Sequence, residues 1–549
     1  LWWLAKRKII VFSLFCGLWL ALAYPPLPFA FLLFTGFLPF FALIEYRYYS
    51  GQISTLRLWL TFYLAFLVWN LFTCYWLMLT ALSVGDSQEA VLAFSAGLLA
   101  SVANAFLQTL PLMLYAYLRK RNANRFLALA GFIFFWLSFE YLHFNWDLSW
   151  AWITLGHAFT FYPTYIQFIE FTGVLGISFW TLLINALLWL GITRQRKAKA
   201  FILAGCLSLI FPLLIAPLIM HPQRKVFQKS GQLKVRIVQP NIDPYEKFNR
   251  LSDEAQITSF IEQIQSAPLK GIDLVVLPET ALPFYLEEGA ALQRSLLWPL
   301  LELCAKEGCS ILTGAVAVRY FQDCQNIPAS ARIFKDPSGN SYCFETYNAA
   351  TALYAGSPGL IYKKAKLVPF TERTPFLEHL SFLKGWEIDL GGAMGSFGYP
   401  DSIFSLALHN NVLAAPVICY ESQFGDYVRQ LFLKGAQLGC IITNDGWFGN
   451  SSGYIQHAYL ATLRAIENRR EFARCANTGM SLFVDNKGYI HQRLGWWEKG
   501  ILDRTINLYQ EKTFYMIYGD YIGRISLVLS ILIFVIAMIA PPIRKVSLG

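Results

Sequence analysis

Long runs without a single charge constrain this chain before anything else does. Ile9 to Ile44, Leu58 to Gly85, Ala90 to Leu118, Phe126 to Phe139, Val174 to Ile192, Ala200 to Met220 and Ile525 to Ala540 contain no Asp, Glu, Lys or Arg. A helix needs ~17 to 20 apolar residues to cross a bilayer, and a proline pair such as Pro25-Pro26 breaks one. The runs therefore predict about eight crossings, two of them from the first run. The first run has no convincing small-x-small cleavage site before Pro25, so it reads as an anchor rather than a cleavable signal peptide. The composition agrees: 56% of residues are hydrophobic and only 15% are charged, more apolar than a soluble chain.

A net charge of +10 could suggest nucleic acid, but the basic residues sit at the ends of the apolar runs. They are Lys6-Arg7-Lys8, Arg47 and Arg57, Arg119-Lys120-Arg121 with Arg125, Arg194-Arg196-Lys197-Lys199, and Arg544-Lys545. The intervening loops Asp86 to Glu89 and His143 to Tyr165 have no Lys or Arg. That alternation puts both ends of the chain in the cytoplasm and His221 to about Gly519 on the far side. The expected domains are a membrane domain at 1–220 with seven transmembrane helices, a catalytic domain at 221–519, and a final transmembrane helix with a cytoplasmic tail at 520–549. Asn70, Asn104, Gln108 and Glu140 lie in or near the passes. For Asn70 and Asn104, hydrogen bonding between helices is the expected role. Glu140 leads into an aromatic loop with Trp146, Trp150, Trp152 and His157, which suits either an anchor in the headgroup layer or the floor of a lipid site.

After Met220 the texture changes. Leu233 to Val238, Ile272 to Leu277, Ser310 to Val316, Ala349 to Tyr354, Val412 to Ile418 and Cys440 to Thr443 read as strands. Ser252 to Ser266 and Leu292 to Lys306 read as amphipathic helices, and Phe424 to Leu433 as the start of another. This is an α/β domain whose strands end in Gln239, Glu279, Cys419 and Asn444, and strand ends are where such domains gather their chemistry. There is no Cys-x-x-Cys pair and no zinc spacing, so no metal is expected. Cys304 and Cys309 fall on and just after a helix and read as structural. Cys324 and Cys343 bracket a polar insert, Gln322 to Tyr342, and an oxidising compartment would join them.

Three stretches carry candidate chemistry. Glu279, in Leu277-Pro278-Glu279-Thr280, is either a solvated loop acid or a general base in a desolvated cleft. Lys363, Lys364 and Lys366 run into an apolar Leu-Val-Pro-Phe, so one lysine could point inward and serve an oxyanion. Cys419 ends the apolar run Ala415-Pro416-Val417-Ile418. Taken alone, that stretch fits a buried structural thiol better than a nucleophile. A thiol needs a base or a cation beside it to react, and Glu279 and Lys364 would supply one of each.

In that order, Glu279, Lys364 and Cys419 resemble the Glu-Lys-Cys triad of the nitrilase superfamily. Tyr362, Lys364 and Leu367 fit its Tyr-x-Lys-x-x-Leu pattern, which picks out Lys364. Narrower matches are Leu367 to Phe370 with Glu372, Cys419-Tyr420-Glu421, the run Thr443 to Ser451 around Trp447, Gln456-His457, Arg464 to Arg470, and Asn477-Thr478-Gly479. Together with the passes, they resemble the apolipoprotein N-acyltransferase family of bacterial inner-membrane enzymes. The resemblance implies a polytopic α-helical membrane domain of about eight helices plus an α/β nitrilase-like αββα sandwich facing the periplasm. It implies a monomer with no cofactor, a phospholipid acyl donor such as phosphatidylethanolamine, and a diacylglyceryl apolipoprotein acceptor. Glu372 would orient Lys364 or the amine, Glu421 would hold the loop after the nucleophile, Tyr420 would pack beside the thiol, and Asn444 and Trp447 would line the site. Trp447 could instead be an interfacial anchor and Glu421 a helix N-terminal carboxylate. The chain departs from the family at Thr371, where Gly is usual, and at Phe248, where Trp is frequent. The alternatives are a membrane-tethered amidase acting on a small periplasmic amide, and a transporter with a degenerate nitrilase-like module. The scarcity of charges within the passes counts against the transporter.

Overall fold

Apolar runs of bilayer length become helices because lipid offers no partner for an unpaired backbone group. The structure is a computed structural model that describes residues 9–80, 87–121, 124–193, 197–243, 252–288, 295–336, 340–357, 359–378 and 396–539. Lys6, Arg7, Lys8, Asp86, Arg194, Arg196, Phe248, Arg544 and Lys545 lie outside them, as does the start of the helix expected from Leu292. Among the described residues, seven helices are long and apolar enough to cross a membrane: Ala30–Ser50, Thr55–Thr73, Ala90–Lys120, Arg125–Phe144, Val174–Thr193, Ala198–Ile219 and Tyr521–Ile539. A shorter apolar helix, Ile9–Ala21, precedes them, and the chain turns at Pro25-Pro26 before the next. The chain divides into two compact units: Leu1–Met78, Ser95–Ile219 and Tyr518–Gly549 form one, and Leu79–Phe94 and Met220–Ile517 the other.

In the first unit, local chemistry sets where helices begin. Ser54 and Asn124 accept the backbone N–H groups of Arg57 and Leu127, each such cap being worth about 1 kcal/mol. The polar residues within the passes pair with one another. Asn70 Nδ2 donates to Gln108 Oε1 at 2.7 Å, and Asn104 Oδ1 lies 2.8 Å from His143 Nε2. Both asparagines thus join helices, as expected. Buried Glu140 accepts from Trp136 Nε1 and the Leu155 backbone N–H. Trp150 and Trp152 pack on Trp76 inside this unit, while Trp146 is exposed. Glu45 is buried and binds Arg119 at 2.6 Å and Arg125 at 3.1 Å, so one carboxylate ties three helices together.

The second unit holds two mixed sheets. Its strands are β1 (Lys229–Gln239), β2 (Leu274–Val276), β3 (Tyr285–Glu287), β4 (Ser310–Phe321), β5 (Arg332–Lys335), β6 (Ser341–Leu353), β7 (Ile361–Lys363), β8 (Leu406–Ala407), β9 (Leu413–Ile418), β10 (Leu438–Thr443), β11 (Phe472–Ala476), β12 (Ser481–Val484), β13 (Ile490–Leu494) and β14 (Gly500–Tyr509). One sheet has the order β14-β1-β2-β4-β6-β5, with β3 on β4 and β7 on β6; the other runs β13-β12-β11-β10-β9-β8. The sheets lie face to face: Cys475 Sγ on β11 is 3.1 Å from the Val238 carbonyl on β1, and Ser481 Oγ is 2.6 Å from Gln239 Oε1. The helices Asp253–Ile264 and Trp298–Glu307 bury Ile257, Phe260, Ile264, Leu300 and Cys304 against the outer face of the first sheet. The helices Gly425–Leu433 and Ser452–Asn468 cover the second, with Phe432 edge-on to Phe472. This is the expected αββα order of layers.

Pro416 lies opposite Cys440 of β10 inside β9, and on its other edge β8 pairs with β9 only at Leu413 and Ala414, which leaves that edge open beside the proline. Gln239 ends β1 but serves structure: it bonds the Gly495 and Glu498 carbonyls. Cys304 and Cys309 are buried and free. Cys324 and Cys343 form a disulfide, and the insert they bracket supplies β5, which pairs with β6.

Candidate active site

The carboxyl ends of β2, β9 and β10, which are parallel strands within their sheets, each deliver one expected residue. Glu279 follows β2, Cys419 follows β9 and Asn444 follows β10. Gly314 on β4 makes room for the first of these. A Cβ there would meet Thr280 N at 2.4 Å and Glu279 Cα at 2.6 Å, so any side chain would push the acid out of place. β7 runs antiparallel to β6, and the Lys364 N–H just past its end still bonds the Asn348 carbonyl, so Tyr362 and Lys364 fall on one face and Lys363 on the other. That alternation decides among the lysines. Lys364 is 1% exposed. Lys363 is also buried, but it pairs with Glu288 and lies over the Tyr347 ring instead, and Lys366 sits over Phe424.

Lys364 Nζ reaches Glu372 Oε1 at 2.7 Å and Glu279 Oε1 at 3.3 Å. Burial alone would lower its pKa; Glu372 and Glu279 more than offset that and hold it above the usual lysine value, so it stays charged. Glu279 is also fixed by the Asn444 backbone N–H, at 3.0 Å from its Oε2. Glu372 Oε2 accepts the Val368 N–H at 2.8 Å. Asn348 Nδ2 donates to both carboxylates, 2.7 Å from Glu279 and 2.9 Å from Glu372. Asn348 is not among the residues the sequence singles out, although it lies one position before a strand that is.

Cys419 is half-buried and free. Burial pushes its thiol well above the ordinary value and Glu279 pushes it further, while Lys364 pulls the other way. The resting sulfur is therefore protonated and needs a base during reaction. Its backbone has φ 48°, and Thr280 and Phe370 are also left-handed at 49° and 64°. Such backbone costs roughly 1–3 kcal/mol per residue outside glycine and persists where its surroundings enforce it. Glu421 supplies part of that enforcement. Fully buried, it accepts the backbone N–H groups of Ile418 at 2.8 Å and Ala365 at 2.7 Å, and the Tyr362 hydroxyl. It thereby locks the turn after Cys419 to the segment after Lys364. Burial pushes its carboxyl up to about 7 against those donors.

Tyr420 is buried edge-on to Phe424, 5.1 Å between ring centres. Trp447 is half-buried on the single 3-10 turn Asp445–Phe448, three residues past Asn444. Asn444 Oδ1 receives Asn477 Nδ2 at 3.2 Å. Thr371 lies between Phe370 and Glu372 and donates to the Val368 carbonyl. The arginines of the run Arg464 to Arg470 are buried scaffold rather than site. Arg464 pairs with Glu467 at 3.0 Å, and Arg469 and Arg470 bond the Asn486 and Glu511 carbonyls.

An acid and an ammonium thus pair in a buried site where their charges act on a thiol, in a chain with membrane-length helices. The family described as carbon-nitrogen hydrolase matches residues 234–513. Residues 16–187 match the apolipoprotein N-acyltransferase N-terminal domain. The apolipoprotein N-acyltransferase of Chlorobaculum tepidum is 32% identical over 446 residues, 79% of this chain and 81% of that one. The chain belongs to the apolipoprotein N-acyltransferase family. A second relative of that name, from Geobacter metallireducens, is 27% identical over 81% of this chain and 80% of its own. A third, from Aquifex aeolicus, is 30% identical over 56% and 61%. Among solved structures, Saccharomyces cerevisiae Nit3, described as a member of branch 10 of the nitrilase superfamily, overlaps 51% of this chain and 91% of its own. That overlap has a TM-score of 0.34 and 16% identity, too weak to add to the family match. As a member of the N-acyltransferase family with these apolar helices, the chain is a multi-pass membrane enzyme.

Proposed function

We propose that this enzyme moves a fatty acyl chain from a phospholipid to the N-terminal amine of a diacylglyceryl-cysteine on an apolipoprotein, through a thioester on Cys419. The observation that carries the reading is the buried pair of Glu279 and Lys364, joined by Glu372, acting on the Cys419 thiol in a chain whose described residues include seven membrane-length helices. Glu279 takes the thiol proton, and the sulfur attacks an ester carbonyl of the donor, phosphatidylethanolamine being the preferred one. Lys364 and the backbone N–H after Cys419 stabilise the oxyanion, a role worth ~3 to 4 kcal/mol per donor. As the tetrahedral adduct collapses, the C–O bond breaks and Glu279 returns the proton to the leaving lysophospholipid. The neutral α-amine of the acceptor then attacks the thioester. Glu279 accepts its proton and passes it to the departing thiolate, which regenerates Cys419 and releases the triacylated lipoprotein. Glu372 and Asn348 hold Lys364 and Glu279 in register throughout.

Two lipid-anchored substrates favour an enzyme tethered to the bilayer, because encounter is then confined to two dimensions. The charge alternation of the loops supports a bacterial inner-membrane location with residues 221–519 in the periplasm. The Cys324–Cys343 disulfide fits that oxidising side. The deciding experiment supplies purified protein with phosphatidylethanolamine and a synthetic diacylglyceryl-cysteine peptide and follows both products by mass spectrometry. The peptide is expected to gain one acyl chain, with an equivalent of lysophospholipid. Release of free fatty acid with an unmodified peptide would instead support a tethered hydrolase.

A further inference from the structure

Beside the nucleophile lies a buried cluster to which the proton transfers above give no part. His457, from the helix Ser452–Asn468, is 1% exposed. Its Nε2 is 3.0 Å from the Cys419 carbonyl oxygen and 3.0 Å from Ser422 Oγ. The Ser422 hydroxyl donates to the same carbonyl at 2.8 Å. A carbonyl only accepts and the serine hydrogen is already committed, so Nε2 carries a hydrogen whichever form the ring takes. The other edge of the ring is clamped. Nδ1 is 2.8 Å from Asp445 Oδ1 and 3.2 Å from the Arg474 guanidinium. Arg474 donates to Asp445 Oδ2 at 2.7 Å and also to the Met480 carbonyl. Thr443 Oγ completes the set at 2.8 Å from Asp445 Oδ1. Gly479 leaves room for this arrangement: a Cβ there would sit 2.4 Å from Asp445 Oδ2.

The peptide joining Cys419 and Tyr420 is planar and trans, so its C=O and N–H point in opposite directions. Two donors on the carbonyl fix the rotation of that plane and with it the direction of the Tyr420 N–H. We propose that His457, oriented by Asp445 and Arg474, is a positioning residue that locks the Cys419–Tyr420 peptide so that the Tyr420 N–H meets the oxyanion of the reacting acyl group. Its effect passes through the peptide, by way of its bond to the Cys419 carbonyl. The inference rests on the acyl-transfer reading above.

The test compares His457→Leu, which removes the donor at similar bulk, with His457→Gln, whose amide N–H can reach the position of Nε2. Full-length protein is assayed with phosphatidylethanolamine and the diacylglyceryl-cysteine peptide, and Cys419 alkylation by iodoacetamide is timed in parallel. Loss of one oxyanion donor costs about 100- to 1,000-fold in kcat. A misaimed donor should cost less, about 10- to 100-fold, in His457→Leu. KM for the phospholipid and the alkylation rate should stay within about threefold of wild type, because neither uses the oxyanion donor. His457→Gln should regain at least about tenfold of any larger loss. A Leu variant with wild-type kcat overturns the proposal, as does one that loses kcat, alkylation and thermal stability together, or a Gln variant no better than Leu. Cys419→Ala in the same assay separates the two levels. Activity surviving that change refutes the acyl-transfer reading, whereas Cys419-dependent activity untouched by His457→Leu refutes only the role of His457.

Discussion

Cys419→Ala is expected to reduce N-acylation of a diacylglyceryl-cysteine peptide to the uncatalysed background while leaving the protein folded. The two outcomes follow from different features of the same residue. Chemically, the sulfur has no substitute: the other free cysteines after residue 220, Cys304, Cys309, Cys440 and Cys475, are buried, and only Cys419 among those five is partly open. Structurally, the turn that holds it is built by other groups. Glu421 takes the Ile418 N–H, and Ser422 and His457 take the Cys419 carbonyl. Alanine suffers the same left-handed backbone as cysteine and loses one half-buried atom, so the stability change should stay within about 1 kcal/mol. The checks are product mass and a thermal unfolding curve in detergent. Retained acylation by a folded Ala variant would contradict the assignment.

Lys364→Met should damage both rate and fold. The ammonium bridges Glu279 and Glu372, and it is almost wholly enclosed. Without it two carboxylates bridged by the Asn348 amide face each other with no cation between them. Breaking a buried pair in this way typically costs ~3–5 kcal/mol, because a charge is left uncompensated. The oxyanion also loses its cation, so the rate should fall by about 1,000-fold or more. A second change separates the two effects. Lys364→Met combined with Glu372→Gln removes the excess negative charge and should regain roughly half of the lost stability while leaving the rate low. Thermal unfolding together with the acylation assay reads both quantities. A double variant that recovered activity would mean that Lys364 serves only to neutralise Glu372.

The residues legible in the sequence were those whose role is fixed by short-range pattern. Uninterrupted apolar runs announce membrane helices because the bilayer tolerates nothing else in bulk. Glu279, Lys364 and Cys419 each stand where an apolar strand stops or starts, and the resemblance to a known triad chose Lys364 among three lysines. The structure gives the local reason for that choice: alternation along β7 puts Lys364 on the face of Tyr362 and Lys363 on the other. What the sequence hid depends on pairing across long separations. Asn348 is an unremarkable strand residue until Glu279 and Glu372 arrive from elsewhere. Arg474 interrupts the apolar run of β11 and hides it as a strand; the arginine is tolerated there because it meets Asp445 inside the fold. β14 escaped for a related reason. Its outer half is partly exposed and carries Asp503, whose partner Arg236 lies on β1. Glu421 was equally compatible with a helix-end carboxylate and a brace, and only its bonds to Ile418, Ala365 and Tyr362 decide for the brace.

The central claim is that acyl transfer passes through a covalent bond to one sulfur, and the most direct measurement is the mass of the Cys419 peptide after the enzyme meets phospholipid without an acceptor. A fatty-acyl adduct on Cys419 that vanishes when the diacylglyceryl-cysteine peptide is added is the predicted result. An unmodified Cys419 peptide under conditions where the acceptor still becomes acylated would contradict it.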